Sequence, residues 1–151
     1  MNKTLMKVFS KINIFVYRLT NGKLMGSLKG SPICLVTMTG RKSGRRITIP
    51  LIYVAHGENV VLIASQAGAP KHPVWYHNLI ADPDIDIQAG SVRRAMQVRQ
   101  ASDAEKAEIW PHAVSVYGEF DDYQAKTNRN IPLLICTPKI ADNKVAENKI
   151  A

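Results

Sequence analysis

Ile33-Cys-Leu-Val-Thr-Met-Thr-Gly-Arg-Lys-Ser-Gly-Arg-Arg-Ile-Thr-Ile-Pro-Leu-Ile-Tyr-Val54 joins two apolar, β-prone segments, Ile33–Thr39 and Ile47–Val54, through a loop punctuated by Gly40 and Gly44. The loop carries four cations, Arg41, Lys42, Arg45 and Arg46. Glycine lets backbone N–H groups turn toward a bound anion, and guanidinium and ammonium groups supply the opposing charge. The stretch therefore reads as two strands whose connection is built for a phosphate or carboxylate. It has neither the GxxxxGK[ST] order of a Walker loop nor a GxGxxG turn opening a helix.

Strand signals continue toward the C-terminus. Thr48–Ala55 and Asn59–Ser65 are rich in β-branched residues, with a tight turn at His56-Gly57-Glu58 between them. Ile85–Ala89 and Val92–Gln100 form a second predicted hairpin around Gly90-Ser91, and Ile131–Thr137 a closing strand. About six short strands with few helices between them predict a small antiparallel barrel, not a βαβ unit. The expected fold class is mainly β with flanking helices (α+β).

Helical signals are local. Leu5, Val8, Phe9, Ile12, Phe15, Val16 and Leu19 recur at helical spacing over residues 2–20, with Lys3, Lys7 and Lys11 in a row on another face. Asn21-Gly22 stops this helix. Two readings fit: a helix packed on the domain with a solvated basic side, or one that touches an anionic membrane. Pro73 opens a predicted short helix over Val74–Ala81. Ser102-Asp-Ala-Glu105 predicts a capping box, with Pro111 breaking or kinking the helix and a second segment running to about Tyr123. The organisation expected is an N-terminal helix over 1–20, one barrel domain over 26–138 and a polar tail over 139–151.

The chain has 151 residues, 46% of them apolar, enough to bury one core. Its net charge of +8 is unevenly spread: residues 1–57 hold ten Lys or Arg and no Asp or Glu, whereas the remainder holds ten basic and twelve acidic residues. Such a field favours an anionic cofactor, a membrane surface or nucleic acid. The cations lack the aromatic interleaving of single-strand binders, so no nucleic-acid partner is expected. Cys34 and Cys136 read as reduced, buried small hydrophobes, and no Cys/His spacing suggests zinc. Without a secretory signal or a bilayer-spanning run, the expected location is cytoplasmic, peripheral at the inner membrane face if the first helix binds lipid.

Three other stretches carry candidate chemistry. Ala64-Ser-Gln-Ala-Gly-Ala-Pro70 ends a strand with small residues, and Ser65 offers a hydroxyl. In His72-Pro-Val-Trp-Tyr-His-Asn78, Trp75 and Asn78 share a helical face, while His72 and His77, five apart, suit no metal. Tyr117, Phe120 and Tyr123 recur three apart on a predicted helix, as core stripe or pocket wall.

Taken together, and with Thr48-Ile-Pro-Leu51, Trp110-Pro111, Asp122-Tyr-Gln124 and Ile131-Pro132, these motifs resemble the deazaflavin-dependent nitroreductases that use coenzyme F420. The resemblance spans about Ile33 to Pro138. It implies a split β-barrel like that of the FMN-dependent pyridoxine-phosphate oxidases, and hydride transfer from the reduced deazaflavin to a quinone or nitroarene. It further implies that Arg41, Lys42 and Ser43 hold the phosphate and acidic tail of the cofactor. Ile47, Thr48, Pro50, Leu51 and Ile52 would run beneath it, and Ile63, Ala64, Ser65 and Gln66 would line the ring with Val74, Trp75, Tyr76, His77 and Asn78. Tyr117, Phe120 and Tyr123 would flank the substrate with Ser65; Ser65, Tyr117, Tyr123 or water would supply the proton. Two alternatives stay open: FMN as cofactor, and a non-catalytic module binding an anionic flavin-like cofactor. Related barrels often dimerise, so a homodimer is compatible with the resemblance. Two residues depart from the family pattern. Ile47 stands where an arginine is usual, with Arg46 expected to point to the opposite face, and Phe120 stands where relatives can carry tyrosine.

Overall fold

A computed structural model describes residues 3–139. The chain enters through helix α1 (Lys3–Thr20), then strands β1 (Ser27–Leu28), β2 (Ser31–Thr39), β3 (Arg46–His56) and β4 (Asn59–Ile63). A single 3-10 turn at Gln66–Gly68 leads to α2 (Val74–Ala81), followed by β5 (Asp84–Ala89) and β6 (Val92–Gln100). Two helices, α3 (Asp103–Val116) and α4 (Glu119–Ala125), precede the last strand, β7 (Leu133–Pro138). The polar stretch 140–151, expected as a tail, lies outside the described residues, as does residue 2 of the expected first helix.

All pairings are antiparallel, and the strand order β1-β2-β3-β4-β7-β6-β5 is closed by β2 pairing with β5. Six strands thus form a barrel, as the strand count predicts. β3 changes partner along its length: Arg46–Ile52 pair with β2, and Tyr53–His56 with β4. The barrel splits at this handover.

Alternation along the strands sorts side chains between two apolar clusters. Cys34, Val36 and Met38 of β2, Val60 and Leu62 of β4, and Leu134 and Cys136 of β7 fill the barrel. The intervening Val61, Ile63, Leu133 and Ile135 face outward, where Ile109 and Ala113 of α3 and Phe120 of α4 cover them. β4 and β7 are buried on both faces, which is why they read as unbroken apolar runs. Cys34 and Cys136 are buried free thiols, and burial holds both well above the ordinary thiol range.

Three local expectations are corrected. Residues 26–32, which carry no strand signal of their own, contain strand β1, whose turn to β2 uses Lys29 and Gly30 at φ 50° and 82°. Pro111 neither ends nor divides its helix, because α3 runs through to Val116. The hydrogen bond that proline forfeits is offset by burial of Ile109 and Ala113 on either side. The chain breaks instead at Gly118, so Tyr117 terminates α3 while Phe120 and Tyr123 belong to α4. The capping box forms as predicted: Ser102 Oγ accepts from Glu105 N–H, and Glu105 Oε1 accepts from Ser102 N–H.

Helix α1 is anchored at its C-terminal end. Tyr17 is buried, donating its hydroxyl to the Ile33 carbonyl at 2.9 Å and accepting from Gly90 N–H at 2.8 Å. Its apolar row is not covered: Leu5, Val8, Ile12, Phe15 and Leu19 are 47–72% exposed.

Candidate active site

Two concavities meet at the start of α2. One, of about 370 Å³, is bounded by Pro50, Leu51 and Ile52 of β3, Ile63, Ser65 and Gln66 after β4, Trp75 of α2, and Tyr117, Phe120 and Tyr123, with Leu28 at its rim. The second, of about 220 Å³, is bounded by Gly40, Arg41, Lys42, Ser43, Ile47, Val74 and Asn78. Trp75 faces the first and its neighbour Val74 the second, so an elongated ligand passing α2 could occupy both.

The basic cradle is shaped by short-range contacts. Gly40 N–H donates to the Arg45 carbonyl and Gly44 N–H to the Gly40 carbonyl, each at 2.8 Å, with Gly44 at φ 70°. A Cβ on Gly40 would lie 2.7 Å from Ser43 Oγ and 2.9 Å from Ile47 Cδ1, so any larger residue there would push these two side chains of the cradle aside. Asn78, buried on α2, accepts from Arg41 N–H at 3.0 Å and ties the loop to the helix. Strand alternation separates Ile47, on the cradle, from Arg46, which donates to Asp86 at 2.8 Å and to Thr39 on the opposite face.

The floor of the apolar cavity is a tight turn. Gln66 and Ala67 adopt φ 44° and 52°, and Gly68 φ 78°. Arg129, from the loop before β7, staples it. Its guanidinium donates to the carbonyls of Ala64 at 3.1 Å, Ser65 at 2.7 Å and Ala69 at 2.8 Å, and meets His72 Nδ1 at 2.8 Å. Burial first, then the Arg129 charge, holds the His72 imidazole below its ordinary pKa, so His72 remains a neutral acceptor for that guanidinium.

The three aromatic residues form a connected wall although they belong to two helices. Tyr117 and Phe120 rings are 5.0 Å apart, Tyr117 and Tyr123 6.2 Å, and Phe120 and Tyr123 6.5 Å. The Tyr117 and Tyr123 hydroxyls are 3.2 Å apart and both donate to Glu119, whose other oxygen lies 2.6 Å from Lys29 Nζ. The stripe is therefore both core and cavity wall.

Four of the residues singled out in the sequence lie elsewhere. Thr48 is on the outer barrel face, bonded to Arg18 and Thr37. Ala64 is fully buried. Tyr76 donates to Gln100, and its ring and those of His72 and His77 contact one another on the side of α2 away from Trp75 and Asn78. No cluster able to hold a metal ion occurs among the described residues. Conversely, Arg129, Glu119, Lys29 and Leu28 carry no local motif; only the fold brings them to the site.

A broader basic groove, of about 670 Å³, continues beyond the cradle between α1 and the loop. Lys7, Lys11, Arg18, Arg45 and Arg46 line it, and it shares Ser43 and Ile47 with the cradle. The donor set, cations and backbone N–H groups at one end and a flat apolar and aromatic slot at the other, fits a flavin-like cofactor with an acidic tail.

Comparison with known proteins agrees with this geometry. The F420H(2)-dependent quinone reductase family matches residues 9–138. A Mycobacterium tuberculosis protein named for that activity is 40% identical over 114 residues, covering 76% of this chain and 96% of its own. The solved structure of an F420-H2 dependent reductase, FDR-A, superposes with TM-score 0.66 at 38% identity, covering 70% of this chain and 93% of that one. Another solved structure, described as a domain-swapped dimer, gives TM-score 0.68 at 31% identity, covering 89% of this chain and 99% of that one. At 8% identity and TM-score 0.51, a pyridoxamine 5'-phosphate oxidase-type structure from Listeria innocua shares the split-barrel fold alone. With a family match over most of its length, the chain belongs to the F420H(2)-dependent quinone reductases, oxidoreductases that use coenzyme F420.

Proposed function

We propose that this protein transfers a hydride from reduced coenzyme F420, held along β3 and past α2, to a quinone or nitroaromatic acceptor seated against Tyr117, Phe120 and Tyr123. The observation that carries the reading is the junction of a flat, aromatic-walled slot with an acid-free basic cradle at Val74–Trp75. When bound, the reduced deazaflavin supplies the hydride; the chain contributes binding, orientation and a proton. Arg41, Lys42 and Ser43 hold the phosphate, and the cations along α1 are available to the acidic tail. Pro50, Leu51, Ile52, Ile63, Gln66 and Trp75 confine the ring and exclude water from its face. Ser65 is 8% exposed at the wall of the slot, where its hydroxyl can relay a proton from water to the acceptor oxygen.

The test is a titration with coenzyme F420 and with FMN, followed by quenching of Trp75 and Trp110 fluorescence. Tight deazaflavin binding that weakens with salt and in Arg41→Ala is expected. A preference for FMN would overturn the cofactor assignment, and binding of F420 without turnover of any quinone would leave a non-catalytic binder.

We also propose that α1 makes peripheral contact with an anionic membrane. Supporting it are the exposed row from Leu5 to Leu19 and Lys7 and Lys11 on the neighbouring face. No described helix is long and apolar enough to cross a bilayer. Removing residues 2–20 is expected to abolish co-sedimentation with anionic vesicles; unchanged sedimentation would refute the contact. A homodimer, compatible with the domain-swapped relative, is testable by light scattering.

A further inference from the structure

Glu119 lies at the polar corner of the acceptor slot, where three side chains converge on one carboxylate. One oxygen, Oε2, accepts from the hydroxyls of both Tyr117 and Tyr123, the latter at 2.8 Å. The other, Oε1, takes Lys29 Nζ at 2.6 Å. Lys29 sits in the turn between β1 and β2, and the preceding Leu28 lines the slot. The start of β2 is held separately, by Ser31 Oγ donating to the Val116 carbonyl at 2.6 Å at the end of α3. Glu119 thus joins the β1–β2 turn to the end of α3 and the body of α4 across 90 residues of sequence.

We propose that Glu119 is a positioning residue for the acceptor. It sets the hydroxyls of Tyr117 and Tyr123 through one oxygen and fastens the Leu28-bearing turn over the slot through the other. The inference rests on the reading of this cavity as the acceptor site. It also changes the part assigned to the tyrosines. Each phenol has a single proton to give, and Glu119 takes both. A phenol that surrendered its proton to the acceptor would become a phenolate beside a carboxylate, an arrangement that like-charge repulsion opposes. Tyr117 and Tyr123 accordingly flank the acceptor through their rings as neutral phenols, and the proton comes from water, directly or relayed by Ser65. Lys29 pairing and the two phenolic bonds hold the Glu119 carboxyl down to about 2, so it stays ionised throughout the working pH range. Tyr123, beside the Tyr117 hydroxyl and bonded to Glu119, is pushed well above the ordinary phenol range, and Tyr117 is raised chiefly by Glu119.

The test uses Glu119→Gln, Glu119→Ala and Lys29→Met. Glu119→Gln keeps an amide oxygen as acceptor for the phenols but loses the charge, Glu119→Ala loses both, and Lys29→Met releases only the turn. The first readout needs no ligand: ultraviolet titration of the phenols. In the parent protein Tyr117 and Tyr123 should resist ionisation alongside Tyr17 and Tyr53, whose phenols burial also raises; in Glu119→Gln and Glu119→Ala the first pair should titrate earlier and the second pair should not move. A Tyr117→Phe background would remove one of the first pair and identify it. The second readout is steady-state reduction of 2-methylnaphthoquinone. Glu119→Ala is expected to raise its KM about tenfold with kcat within about threefold, Glu119→Gln to recover most of that loss, and Lys29→Met to raise KM by about threefold. Cofactor affinity should be unchanged in all three.

Phenol titration identical in parent and Glu119→Gln would overturn the proposal. So would a loss confined to kcat with a shifted limb of the pH profile, which would make the cluster a proton donor. Absence of F420 binding in the parent would instead refute the proposed function, and the phenol titration would still decide whether Glu119 governs the tyrosines.

Discussion

Replacing Arg129 by methionine should unfold the floor of the site before it touches the barrel. The guanidinium donates to three carbonyls, those of Ala64, Ser65 and Ala69, and meets His72 Nδ1. Ala64 is fully buried and Ser65 nearly so, so their carbonyls would lose a charged donor where water cannot easily replace it. At roughly 1 kcal/mol net for each of three carbonyl bonds, the loss is about 3 kcal/mol. For a domain of this size that corresponds to a fall in Tm of about 10 °C. Arg129→Lys keeps the charge but has no planar fork to span three carbonyls, so it should recover less than half of the loss. The assays are thermal and urea unfolding, with hydrogen exchange at the Gly68 amide, which donates to the Ser65 carbonyl at 2.9 Å. Exchange there should quicken in Arg129→Met ahead of global unfolding, and cofactor affinity should fall with it. A Tm within about 2 °C of the parent, or full rescue by lysine, would refute the reasoning.

Gly68→Ala should cost about 2–3 kcal/mol in urea unfolding, because φ is 78° and the new Cβ would lie 2.7 Å from the Tyr123 carbonyl oxygen. The acid limb of stability is also predictable. Arg99 and the Ser102 N–H hold Glu105 down to about 2, below its value in the unfolded chain. That contribution is complete above the unfolded carboxylate pKa and is lost as pH falls from about 5 toward 2. Calorimetry of Glu105→Gln should therefore show a flatter decline of Tm over that window than the parent. Ile47→Arg should tighten binding of the acid-tailed deazaflavin about two- to fivefold at low salt and leave FMN affinity nearly unchanged, as fluorescence titration can check. Equal tightening of both ligands would remove the tail from the argument.

Much of the barrel was legible because its signals are local. Two-residue turns between β3 and β4 and between β5 and β6, the Pro73 start of α2 and the Ser102 capping box each depend on a few adjacent residues. The shape of the basic loop was legible for the same reason: glycine sets its turn, and strand alternation sends Arg46 to the face opposite Ile47. Strand β1 was not, since Ser27–Leu28 have no pattern of their own and pair only because β2 offers an edge. Nor was the continuity of α3, where burial of Ile109 and Ala113 outweighs a proline that local rules treat as a break.

By itself the sequence determined the six barrel strands, the charge of the loop and the candidates Trp75, Asn78, Tyr117, Phe120 and Tyr123. The tertiary structure alone decided that β2 meets β5, that Tyr76 and His77 turn away from the two concavities, and that Arg129 and Glu119 bond to residues lining the apolar one. Arg129 reaches carbonyls 60–65 residues away, and Lys29 meets Glu119 across 90 residues. Contacts at such separations depend on how the barrel closes, and no periodicity, cap or turn residue near either partner encodes them.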